Sequence, residues 1–157
     1  MKAVMIRGES LVWEDVPDPR PAPDEALVRV HAAGVNRADL VQRAGRYPPP
    51  PGASEILGLE IAGEVLSAPD GSGWKPGDRA CALLAGGGYA ERAVVPVRML
   101  MPVYERWSLE EAAAVPEVHL TAFLNLFLEA GLKAGERVLI HGGASGVGTA
   151  AVQQARR

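Results

Sequence analysis

The chain has one cysteine, three histidines and only 5% aromatic residues in 157 positions. A lone cysteine, Cys81, excludes an internal disulfide and a cysteine-built zinc cluster. Long hydrophobic runs are lacking too: none approaches the ~20 residues that an apolar helix needs to cross a bilayer. The opening Met1-Lys2-Ala3-Val4-Met5-Ile6-Arg7 is charged too early for a secretory leader, so none is expected. Nor does charge of one sign predominate. Sixteen Lys and Arg stand against 19 Asp and Glu, a net −3, which gives no basic footprint for nucleic acid. With membrane and nucleic acid set aside as partners, the expectation is a cytoplasmic enzyme that acts on a small molecule.

Glycine and proline are plentiful, 18 and 13 residues, with 48% hydrophobic content. Their placement divides the chain. Over roughly the first hundred residues, short apolar or alternating runs lie between Gly/Pro turns: 3–6 with 11–16 as a hairpin, then 26–35, 56–66, 79–84 and 89–95. This pattern predicts a mainly β, barrel-like domain. Asn36 to Ala44 reads as a short helix with Asn36 as N-cap and Gly45 as its stop. Pro48 through Pro51 remove four backbone donors in a row, so the segment after Tyr47 is stiff and irregular. Ser108-Leu109-Glu110-Glu111 is a capping box that opens another helix. Residues 117–130 read as a further helix ending at Gly131, and its nearly continuous apolar surface predicts deep burial.

The last stretch carries the chemistry. Glu136-Arg137-Val138-Leu139-Ile140 reads as a buried parallel strand. His141-Gly142-Gly143-Ala144-Ser145-Gly146-Val147-Gly148 follows as a glycine-rich turn, and residues 149–157 as a helix. Strand, glycine turn and helix in that order form a phosphate cradle, with free N–H groups at the helix start aimed at an anion. Gly142, Gly143, Ala144, Ser145, Gly146, Val147 and Gly148 are therefore the expected cofactor-binding residues. A strict G-x-G-x-x-G is absent, and an ordinary tight strand-to-helix turn is the competing reading.

The segment Asn36 to Gly52, with Gly58-Leu59-Glu60-Ile61-Ala62-Gly63-Glu64-Val65 and Ala144-Ser145-Gly146-Val147-Gly148-Thr149-Ala150-Ala151, resembles the quinone oxidoreductases of the medium-chain dehydrogenase/reductase superfamily. It looks most like the zeta-crystallin-related, stress-inducible branch. The resemblance covers the whole chain, which looks like the N-terminal half of such an enzyme. It implies a GroES-like catalytic domain over 1–115 and the first helix and β-α unit of a Rossmann NADP-binding domain over 116–157. It also implies NADPH as cofactor, a quinone or related enone as substrate, a site in the cleft between the domains, and a homodimer at full length. Zinc alcohol dehydrogenases of the superfamily carry Gly-His-Glu where this chain has Gly58-Leu59-Glu60, and a cysteine where it has Asn36. Neither Leu59 nor Asn36 can replace those ligands, so no metal site is expected.

Without a metal, the substrate carbonyl has to be polarised by hydrogen bonds. Tyr47 is the first candidate, since a phenol can donate a hydrogen bond or a proton. Packing under the proline run is its other role. Asn36 can hold the nicotinamide carboxamide or the substrate oxygen, or serve as a helix cap only. Asp39 can orient a neighbour, or be a solvated first-turn carboxylate. By resemblance, Thr121 faces the nicotinamide; bonding back within its own helix is the alternative. Ser145 suits a cofactor phosphate, the nicotinamide side or the turn itself. The rival to the enzyme reading is a non-catalytic GroES-like domain that folds or associates but cannot hold the whole cofactor.

Overall fold

A computed structural model describes residues 1–156, which divide into two compact units, Met1–Ala114 and a second that begins at Val115. The first is built on seven strands. β1 (Lys2–Arg7) and β2 (Ser10–Asp15) form the expected antiparallel hairpin, in register from Lys2↔Asp15 to Arg7↔Ser10. β3 (Glu25–Ala33), β4 (Glu60–Ser67), β5 (Arg79–Leu83), β6 (Arg92–Pro96) and β7 (Leu100–Pro102) make an antiparallel sheet in the order β6-β3-β4-β5-β7. The edges β6 and β7 are not paired with each other, so the sheet is a curled half-barrel rather than a closed one. The hairpin joins it through Val4 N–H to the Tyr89 carbonyl at 2.8 Å and Glu91 N–H to the Lys2 carbonyl at 3.0 Å.

Alternation along the strands sorts residues onto two faces. Ala26, Val28, Ile61, Val65, Ala80, Ala82, Ala93 and Val95 form the main core inside the curl. On the other face, Ala62 and Cys81 are small enough for a helix to approach closely. α2 (Leu109–Ala113) packs there through Ala112 and Ala113. Its start is the anticipated capping box: Ser108 Oγ accepts from Glu111 N–H at 3.1 Å, and Glu111 Oε2 accepts from Ser108 N–H at 2.8 Å. α1 (Arg37–Arg43) begins after Asn36, and Gly45 takes φ +68° just beyond its end.

Several expectations fail for physical reasons. The run from 56 becomes a strand only at Glu60, because Gly58 has φ +103° and turns the chain away from the ladder. β7 has only three residues, too few to show a period in the sequence.

In the second unit, α3 (Pro116–Phe123) continues as a π-helical turn over Leu124–Glu129, and α4 (Gly146–Ala155) packs on it through Ala122, Leu126, Ala150 and Ala151. Deep burial of the 117–130 helix is not observed: Phe123, Leu124 and Leu128 are exposed. The buried strand at 136–140 is not observed either. The segment is irregular, with Val138 exposed and Leu139 at 81% exposure. A parallel strand exists only through its neighbours. Among the described residues, the second unit has no other strand to pair with it.

Candidate active site

The curled sheet delivers a group of polar side chains to one place at the end of β3. Ala33 pairs with Ile61, and the next residue, Gly34, donates its N–H to the Glu60 carbonyl at 3.2 Å. Asn36, two residues on, therefore lies over the start of β4. A Cβ on residue 34 would stand 2.1 Å from Glu60 Oε1, so only glycine leaves room for that carboxylate. From the other side, Tyr89 is placed by its backbone N–H to the Leu57 carbonyl at 2.8 Å.

The resulting contacts are short and mostly out of solvent. Asn36 Nδ2 donates to Glu60 Oε1 at 2.7 Å, and Asn36 N–H donates to Asp39 Oδ2, also at 2.7 Å. The Tyr89 hydroxyl donates to the same Asp39 oxygen at 2.9 Å and lies 3.2 Å from the Gly34 carbonyl. Asp39 and Glu60 are each only 2% exposed. Burial, and then the hydrogen bond to Asp39, push the Tyr89 hydroxyl well above the ordinary phenol range, so it stays a donor at neutral pH. Asp39 Oδ1 and, one turn on, Gln42 Oε1 are buried with no hydrogen-bond partner among the described residues. Each is a place where water or another donor would be held.

The structure thus brings Asn36 and Asp39 together and adds two residues that the sequence alone does not single out, Glu60 and Tyr89. A glutamate amid the apolar positions of β4 and a tyrosine directly after three glycines were the available signals. Tyr47 lies in the bend beyond α1, with 49% of its surface exposed.

In the second unit, the glycine turn opens α4 as expected. Ser145 is its N-cap: Oγ accepts from Gly148 N–H at 3.0 Å, and Ser145 N–H donates to the Gly142 carbonyl at 2.8 Å. Gly142 has φ +66°. A Cβ on residue 148 would meet the Gly142 carbonyl oxygen at 2.3 Å, so the helix can close on its own turn only with glycine there. Gly142, Ala144, Gly146 and Val147 are exposed, and Gly143 is half-buried. The first-turn N–H groups of Gly146 and Val147 lie beyond the reach of intrahelical acceptors. This turn fits an anionic group: exposed donors, glycines at 142, 143 and 146 that add no side-chain bulk, and a helix N-terminus behind them. Thr121 lies half-buried on α3, where its carbonyl accepts from Asn125 Nδ2 at 2.8 Å.

Residues 22–105 match the alcohol dehydrogenase GroES-like domain. The chain belongs to that family. Within it, the chain is 39% identical over 144 residues to the quinone oxidoreductase of Rattus norvegicus, covering 90% of this chain and 44% of that protein. It is 47% identical over 136 residues to the spectinabilin polyketide synthase system protein NorB of Streptomyces orinoci, covering 86% of this chain and 6% of that one. The quinone oxidoreductase of Thermus thermophilus, solved also as its complex with NADPH, superimposes with a TM-score of 0.84 at 40% identity. That match covers 99% of this chain and 50% of the other. This GroES-like chain therefore spans about half, or less, of the proteins it resembles, and corresponds to the N-terminal half of a medium-chain dehydrogenase/reductase.

Proposed function

We propose that this GroES-like chain supplies the substrate-binding domain, residues 1–115, and the opening of the cofactor-binding domain, residues 116–157, of an oxidoreductase. In this reading the enzyme is cytoplasmic, works as a homodimer without zinc, and reduces quinones or related enones with NADPH. One observation carries the reading. Where zinc alcohol dehydrogenases of the superfamily place a cysteine and a histidine, this chain has an amide and a buried hydrocarbon, Asn36 and Leu59, and the amide is hydrogen-bonded to Glu60. That chemistry suits hydrogen-bond polarisation and not metal binding. Likeness to quinone oxidoreductases supports the substrate class.

When bound, NADPH would supply a hydride. Negative charge then grows on the substrate oxygen, and the chain's task is to stabilise that charge and deliver a proton. Tyr47 is proposed to donate to this oxygen from its place beside the rigid proline run. A well-aimed donor of this kind contributes on the order of 3 kcal/mol in a dry site. Asn36, with Asp39 beside it, is proposed to hold either the nicotinamide carboxamide or the substrate oxygen. Gly142, Gly143, Ala144, Gly146, Val147 and Gly148 are proposed to admit the pyrophosphate, which the N–H groups at the start of α4 would hold. Ser145 would keep that turn closed and lend its hydroxyl proton to a phosphate oxygen. Thr121 is proposed to face the nicotinamide.

In the full-length protein, Tyr47→Phe should lower kcat for NADPH-dependent quinone reduction at least about tenfold, with NADPH affinity retained. An unchanged kcat removes Tyr47 from the mechanism. Failure of the full-length protein to oxidise NADPH with any quinone or enone overturns the reading as a whole.

A further inference from the structure

We infer that Tyr89 is a positioning residue, which acts through Asp39 to fix the peptide and amide of Asn36. The inference rests on the reading above that Asn36 faces the reaction. The geometry runs in one line: Tyr89 hydroxyl to Asp39 Oδ2 at 2.9 Å, then Asp39 Oδ2 to Asn36 N–H at 2.7 Å. One oxygen takes both donors, so the tyrosine decides which way the carboxylate turns. The carboxylate in turn sets where α1 begins.

The far end of the line is the Asn36 side chain. Its Nδ2 donates to Glu60 Oε1 at 2.7 Å, which settles the amide orientation: a carboxylate can only accept. Asn36 is left with one N–H and its Oδ1 to offer a ligand. One donor beside one acceptor is the complement of a primary carboxamide, the polar group that the nicotinamide ring carries. Such a pairing is selective only while the amide cannot swing. Asp39 and Glu60 clamp it from backbone and side chain, and each is 2% exposed. Tyr89 is the member of the cluster that can lose its hydrogen bond with little change of shape, because removing the hydroxyl leaves the ring in place.

Holding a group to within a fraction of an ångström is worth up to about a hundredfold in rate. A residue that acts only through Asn36 should lose its effect once the Asn36 side chain is gone. The test is a mutant cycle in the full-length protein with Tyr89→Phe, Asn36→Ala and the double variant. It reads kcat and KM for NADPH-dependent quinone reduction, with thermal midpoints measured alongside. Tyr89→Phe is expected to lower kcat about tenfold with little change in quinone KM, and the double variant to be no slower than Asn36→Ala alone.

An unchanged kcat in Tyr89→Phe while Asn36→Ala is impaired overturns this inference and leaves the functional reading standing. Multiplying effects in the double variant overturn it as well, since Tyr89 would then act independently. An unimpaired Asn36→Ala defeats the reading itself. Should Tyr89→Phe fold poorly, Asp39→Asn tests the same link from its other end. It is expected to show the same loss of kcat and the same non-additivity with Asn36→Ala, and additivity there overturns the inference.

Discussion

At the scale of single residues, the site and the cradle are shaped by what glycine leaves out. Gly34 makes room for Glu60, and Gly148 lets the first turn of α4 close on the Gly142 carbonyl. The two differ in how a substitution would be absorbed. A methyl at 34 meets a side chain, whereas one at 148 meets backbone at 2.3 Å and 2.7 Å, which cannot rotate aside. Gly148→Ala should therefore destabilise the protein by about 1–3 kcal/mol, read as a lowered denaturation midpoint. Under the proposed cofactor reading it should also weaken NADPH binding in the full-length protein by more than the stability loss accounts for, because the donors at Gly146 and Val147 move with the turn. Equilibrium titration of NADPH against the folded variant checks the second part, and unchanged affinity would count against the cradle.

Elements are set by their ends more than by their interiors. α2 is a single turn and a half, too short to be stable by propensity. It holds through the Ser108–Glu111 box and through Ala112 and Ala113 packed on Ala62 and Cys81. Ser108→Ala removes one capping bond and should cost about 1 kcal/mol in urea unfolding. Ser108→Asp, which restores an acceptor at that position, should recover most of it. α1 uses the other half of the device: the Asp39 carboxylate reaches back to Asn36 N–H, while the Asn36 side chain is committed to Glu60. The helix start is thus tied to the candidate site, and the two should loosen together.

For the molecule as a whole, the largest titration effect lies in the same cluster. Tyr89 ionises well above its ordinary 10.0, first because it is buried and then because Asp39 and Glu60 oppose a further negative charge. A raised folded-state value means that its contribution to stability is complete below pH 10.0 and is lost as pH rises towards the folded value. Above pH 10.0 the unfolded chain releases that proton and the folded one does not. The protein should therefore lose stability steeply above that point, and Tyr89→Phe should flatten this alkaline limb while leaving the neutral plateau lower. Denaturation curves between pH 8 and pH 11 would show the difference; parallel curves for the two proteins would refute the assignment.

Much of this was legible from the sequence because it is local. The hairpin, the start of α1 after Asn36, the cap at Ser108, the stop at Gly45 and the turn at 142–148 each depend on residues a few positions apart, whose dihedral and hydrogen-bonding preferences act without distant help. The composition, too, disposed of disulfides and membrane-spanning helices unaided. Only the folded chain decided the rest. Asn36 meets Glu60 across 24 positions and Tyr89 meets Asp39 across 50, distances bridged by the register of β3 on β4 and by the 56–58 backbone, not by any nearby pattern. The same logic undid the strand at 136–140: its apolar run states a preference, but a strand exists only when a neighbour supplies the other half of each hydrogen bond.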